Sequence, residues 1–152
     1  MKNYAIALQV AFLILPLSGK ATISWGEEWE SCFKNGKMPA LGYECLSDKK
    51  ETSEKQLDSL IDKSGQSIKT NFIGAFNGKE DATETYGDVY STRFLKSQDI
   101  WKKYRKEFCL AVASQINKDA YDYQANIDQC EINLNRRHKE EINLLGLPRV
   151  VE

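Results

Sequence analysis

Histidine is almost absent from this sequence: His138 is the sole imidazole in 152 residues. A serine or cysteine nucleophile needs a base beside it. His138 sits in Asn135-Arg136-Arg137-His138-Lys139-Glu140-Glu141, which reads as a solvated, charged helix face. The acid pairs Glu27/Glu28, Glu80/Asp81 and Glu140/Glu141 lie in polar runs, with no apolar surround to raise a carboxyl for glycoside cleavage. No glycine-rich loop stands before a helix to cradle a phosphate. The sequence therefore offers no pattern for a catalytic, cofactor-binding or metal site. A surplus of one charge is missing as well, since the net charge is −1. That argues against nucleic acid or an anionic membrane as the main partner. There is no internal repeat, no low-complexity tract and no alternating run long enough for a strand.

Long apolar runs are also scarce. The one present, Tyr4 to Leu17, has 14 residues, short for a helix crossing a hydrocarbon core of about 30 Å. Lys2 precedes it, and Gly19-Lys20-Ala21 places small residues at −3 and −1 of a cut before Thr22. This is the order of a secretory signal peptide spanning 1–21, with an uncleaved membrane anchor as the rival reading. Cys32 lies well past the apolar run, which argues against a lipid anchor at the junction. Cleavage removes two basic residues and no acid, leaving 131 residues of net charge −3. That length suits one domain, expected to be periplasmic or secreted and not stably inserted in a membrane.

What is present in useful number is cysteine. Cys32, Cys45, Cys109 and Cys130 all follow the cut, and an even count in an exported domain reads as two disulfides, with three pairings open. Their spacings of 13, 64 and 21 lack the close pairs of common zinc modules.

Helical periodicity fills most of the remainder. Residues 22–44 read as irregular, punctuated by Gly26, Gly36, Pro39 and Gly42 around Trp25, Trp29 and Phe33. A helical pattern begins near Cys45 and carries Leu46, Leu57, Leu60, Ile61, Ile68 and Phe72 in phase, with Gly65 a point at which it could divide. A loop is expected from Gly74 to Gly87. Tyr90, Phe94, Trp101, Tyr104, Phe108, Val112 and Ile116 then form an apolar stripe expected to face the core of a long helix. After a turn at Asn117-Lys118-Asp119, with Asp119 or Asp122 as N-cap, a last helix runs from about Tyr123 to Leu145. It shows Ile127, Cys130, Leu134, Ile142 and Leu145 on one side and is ended by Gly146 and Pro148. The fold is expected to be all-α, a small disulfide-stapled bundle containing a long antiparallel helical hairpin.

That hairpin selects a pairing. Cys109 and Cys130 lie equally far from a midpoint between Asp119 and Ala120. At 1.5 Å per residue both stand about 15 Å from the bend. Both fall among apolar neighbours, so a bond across the hairpin is expected, one that requires Cα atoms within roughly 7 Å of each other. Cys32–Cys45 follows by elimination.

The run Gln98-Asp99-Ile100-Trp101-Lys102-Lys103-Tyr104-Arg105-Lys106-Glu107-Phe108-Cys109 resembles the Gln-x-x-Trp-x-x-x-Arg-x-x-x-Cys signature of the LprI-type lysozyme-inhibitor domain. An upstream Cys pair, a helix, this signature and Cys130 opening a last helix follow in the family's order, over roughly 32–145. The family pattern has an Arg about two turns after the last Cys. Here His138 holds that register, after Arg136 and Arg137. The chain is expected to divide into the signal peptide (1–21), an irregular entry segment tied by a disulfide (22–44), an LprI-like helical domain (45–147) and a tail (148–152). Trp101, Arg105 and Cys109 step by four along one ridge, so with Gln98 they read as scaffold: indole in the core, guanidinium on a helix end or a carboxylate.

The resemblance implies an exported, non-catalytic inhibitor of lysozyme or another peptidoglycan-degrading enzyme, acting sterically and without a cofactor. An envelope adaptor or peptidoglycan-associated module that inhibits nothing is the alternative. Lysozymes are commonly basic, so acidic surface would steer the encounter. The expected contact residues are Glu80, Asp81, Glu84 and Tyr86, in the loop 78–88, with Tyr86 as anchor. The acidic-aromatic run Trp25-Gly26-Glu27-Glu28-Trp29-Glu30 is a second surface, or else a frayed tail.

Overall fold

The computed structural model describes residues 23–34, 38–79 and 82–148, and the expected signal peptide falls outside them. Among the described residues the chain forms four α-helices and no strand: α1 Glu27–Phe33, α2 Pro39–Asn71, α3 Tyr86–Ala113 and α4 Tyr123–Asn143. α4 packs against both α2 and α3, α2 packs against α3, and α1 lies on α2. No helix of the described residues is long and apolar enough to cross a membrane.

The segment expected to be irregular is largely helical. Glu27, Glu28 and Glu30 occupy the first turn of α1, where carboxylates suit the positive end of the helix dipole. Trp25, Trp29, Phe33 and Tyr43 then follow one another ring against ring at 4.9–5.5 Å. Pro39, a breaker in a helix interior, stands at the start of α2, where its missing N–H has no intrahelical partner to lose. α2 thus starts six residues before Cys45. Gly42 lets α1 close on it, because a Cβ there would stand 2.4 Å from Cε1 of Phe33.

Gly65 does not divide α2. The helix runs unbroken for 33 residues, about 50 Å at 1.5 Å per residue. Its buried face carries Ser53, Ser64, Gly65 and Ser67 among Leu46, Leu57, Ile61 and Ile68. Small residues permit close packing here, and Ser91 Oγ of α3 donates to the Gly65 carbonyl at 3.1 Å.

The loop between α2 and α3 runs from Phe72 to Thr85, and Gly87, expected to close it, lies inside α3. A single antiparallel bridge joins Ala75 to Thr85 across it. Thr85 caps α3: its Oγ1 accepts from the Asp88 N–H at 3.0 Å while its own N–H donates to Asp88 Oδ2 at 3.1 Å. Gly87 is pressed against α2, where a Cβ would come within 2.6 Å of the Lys69 carbonyl oxygen.

The apolar stripe expected on α3 is only partly the buried one. Phe94 is buried, but Tyr104 is 53% exposed, and Phe108 and Ile116 also reach solvent. The face turned inward is Gly87, Ser91, Phe94, Gln98, Arg105, Cys109 and Ala113. Its steps of three, four and seven are helical, yet two of its larger members are polar, so a search for apolar residues lands on the adjoining ridge. α4 ends at Asn143, two residues before Leu145, and Gly146 follows at φ +59°. Asp122 is its N-cap residue but makes no side-chain capping bond.

The apolar core is divided into three clusters. One centres on Leu57, Ile61, Ile68, Phe94 and Ile142, a second on Cys32, Leu46, Ala125 and Ile132, and a third on Cys109, Ala113, Ile127 and Cys130. Both disulfides form in the expected pairing, Cys32–Cys45 and Cys109–Cys130, each with Cα atoms 5.7 Å apart. Replacing Cys109 and Cys130 together by serine removes the covalent tie between α3 and α4. It should lower stability by about 3 kcal/mol, read as an earlier urea midpoint relative to the oxidised parent.

Candidate functional site

Between the apolar clusters runs a polar seam built from the signature residues of α3 and one ridge of α4. Arg105 is buried, and its guanidinium forks: Nη1 donates to Asn135 Oδ1 at 2.6 Å and Nη2 to Glu54 Oε1 at 2.7 Å. Glu131 stands 3.8 Å from Nη2, and Lys50 reaches both Glu54, at 3.1 Å, and Glu131, at 3.5 Å. Asn135 passes the network on by donating to Ser53 Oγ at 3.2 Å. The Arg105 Nε–H is buried with no acceptor among the described residues.

One turn away, Trp101 and His138 stack with centroids 3.8 Å apart and planes 7° from parallel. Arg105 lies over the Trp101 ring at 5.8 Å. His138 Nε2 faces Gln98 Oε1 at 2.6 Å and Nδ1 faces Glu141 Oε2 at 2.8 Å. The expectation of a solvated His138 is therefore corrected: the residue is 7% exposed, and the charged neighbours Arg136, Arg137 and Glu140 fall on other faces. The α4 apolar stripe jumps from Leu134 to Ile142, and His138 fills the empty step between them. That gap was the available signal. Asn135 and Glu131 stand three and seven residues before His138 on the same ridge.

Gln98, Trp101 and Arg105 each meet α4, and Cys109 is bonded to it. The guanidinium meets a carboxylate, as read from the sequence, and an amide besides. Trp101 is half-buried: it packs against the Leu57–Ile61–Ile68–Phe94–Ile142 cluster and also stacks on an imidazole.

The run around Trp25 is tied down. Gln129, fully buried on α4, accepts from the Trp29 N–H at 2.8 Å and donates to Glu28 at 3.0 Å. Asn133 donates to the carbonyls of Ile23 and Trp25, and Arg136 pairs with Glu28. Burial alone would raise the Glu28 carboxyl; the bonds from Gln129 and Arg136 outweigh it and hold the group below its usual range. Burial also opposes the charge on Lys50, and Glu54 and Glu131 outweigh it, raising its pKa. At Asp128 burial prevails over the bond from Gln124 and the pull of Lys50, and the carboxyl is raised.

Of the expected contact residues, Glu84 is exposed, and its carbonyl accepts from the Phe76 N–H at 3.0 Å. Tyr86 opens α3 and is 49% exposed. Glu80 and Asp81 lie outside the described residues. No group of three or more His, Cys, Asp or Glu side chains able to hold a metal ion occurs among the described residues.

Two predictions follow from the seam. Arg105→Leu leaves Glu131 buried with one cation fewer and should cost about 3 kcal/mol, measured by urea unfolding. Asp128 acts oppositely: its raised carboxyl penalises the ionised form, so its cost appears as pH rises through that pKa and is fully present at neutrality. Asp128→Asn should raise the Tm at pH 7, and the gain should vanish below about pH 3.5, where aspartate is protonated in the unfolded chain too.

No protein-family model, no curated protein and no solved structure matches this chain.

Proposed function

We propose that this chain is an exported, non-catalytic, inhibitor-like binding protein of the LprI type, acting on lysozyme or another peptidoglycan-degrading enzyme. The observation that carries the reading is the Gln98-Trp101-Arg105-Cys109 ridge. Its spacing resembles the family signature, and its four members share one partner helix. The Tyr4–Leu17 run at the start supports export, and paired cysteines suit an oxidising compartment. Inhibition would be steric, with the α2–α3 loop and its exposed Glu84 and Tyr86 meeting the enzyme.

One observation favours a second reading, an envelope adaptor without inhibitory activity. Gln98, Arg105 and Cys109 are buried, so the resemblance rests on residues that build the scaffold and touch no partner.

The mature protein, assayed against a panel of lysozymes and cell-wall amidases, should inhibit at least one at micromolar concentration. Tyr86→Ala should weaken that inhibition by about tenfold while leaving the helical circular dichroism unchanged. Absence of inhibition across the panel at micromolar excess would remove the inhibitor reading.

A further inference from the structure

At the end of the bundle where the chain leaves α2 and enters α3, four aromatic rings remain open to solvent in one place. Phe72, Phe76 and Tyr86 are 40%, 44% and 49% exposed, and Tyr90 is half-buried beside them. They stand in two edge-to-face pairs, Phe72 with Tyr90 and Phe76 with Tyr86, each with centroids 5.6 Å apart. With Val89 and Arg93 they line a recess of about 290 Å³. Grouped aromatic exposure of this kind marks interaction sites, because a solvated ring gains nothing from water that a core position would not better.

The backbone under the recess is fixed. The Tyr86 N–H donates to the Gly74 carbonyl at 2.8 Å, Gly87 N–H to Phe72 at 2.6 Å and Phe76 N–H to Glu84 at 3.0 Å. The Thr85–Asp88 capping box holds the first turn of α3, and Lys69 pairs with Asp88 at 3.6 Å. A ring set held in this way loses little freedom on binding.

Charge selects the occupant. Among the described residues, Arg93 is the one charged residue lining the recess, and its guanidinium has neither an ion pair nor a hydrogen bond there. We infer that the recess seats an apolar side chain of a protein partner whose neighbouring residue is a carboxylate, with Arg93 taking the acid. The inference rests on the protein-binding reading above and supplies the contact chemistry it lacks. It moves the contact from the acids of the loop to the aromatic recess at its base.

The full mature protein, isotopically labelled, is titrated with capped pentapeptides carrying a central Phe or Leu followed by Glu, beside matched peptides with Lys. The Glu peptides should shift the ring resonances of Phe72, Phe76, Tyr86 and Tyr90. Arg93→Gln should weaken their binding about three- to fivefold, as expected for an exposed charge pair, and Phe76→Ala should abolish it. Tyr104→Ala, an exposed ring elsewhere on α3, serves as a folded control that keeps binding. No ring shifts at millimolar peptide, shifts elsewhere, or equal binding of the Lys peptides overturns the inference. The hydrolase panel fails independently. Peptide binding without inhibition sinks the hydrolase reading and leaves the recess. Inhibition that survives Phe76→Ala and Arg93→Gln sinks the recess and leaves the hydrolase.

Discussion

Arg105 reaches from α3 to Asn135 on α4 at 2.6 Å and to Glu54 on α2 at 2.7 Å, so the three long helices meet through one planar cation. Apolar ridges that pack by shape tolerate a shift more readily than a guanidinium fork, whose acceptors sit at fixed angles. The cost is a charge set of buried Glu131 with half-buried Glu54 and Lys50, whose members must answer one another. The free energy of folding comes mainly from the apolar clusters to either side and from the two disulfides. The seam sets which residues of α2, α3 and α4 stand at the same height.

α4 is the helix around which this arrangement closes. From Ile127 to Ile132 every residue is buried, on all faces of the helix, though Asp128, Gln129 and Glu131 are among them. A helix surrounded in this way must satisfy polar side chains in several directions. It does so through Gln129 toward α1, Asn135 toward Ser53 and Arg105, and His138 toward Gln98. The low hydrophobicity of this stretch conceals its centrality.

What could be read without coordinates follows from this division of labour. Cys109 and Cys130 were legible because equal distance from a turn is a geometric fact, independent of side-chain polarity. The α3 face was legible only in part. Phe94 marked it, but Gln98 and Arg105 complete it, and an apolar count assigns those steps to water and promotes Tyr104 and Phe108 in their place. His138 was misread for the same reason, since the charges beside it belong to other faces of the helix. Glu54 and Ser53, far away in sequence, left no local trace. On the candidate contact surface, the exposure of Tyr86 was legible from its place beside the polar loop. Phe72 and Tyr90 read as core positions, although Phe72 lines an open recess, because a helical phase does not reveal where the bundle stops.

The clasp at the N-terminal side has a temporal consequence. Cys32 and Cys45 are 13 residues apart and can meet as soon as that short stretch exists. The bonds that hold the same segment in place run to Gln129, Asn133 and Arg136, across 100 to 110 residues. A chain that emerges from its N-terminus can therefore staple the Cys32–Cys45 stretch early, yet must leave that stretch undocked until α4 has emerged. The Trp29 N–H waits through that interval for Gln129, and α4, the last of the described helices, is the one that ties down the first.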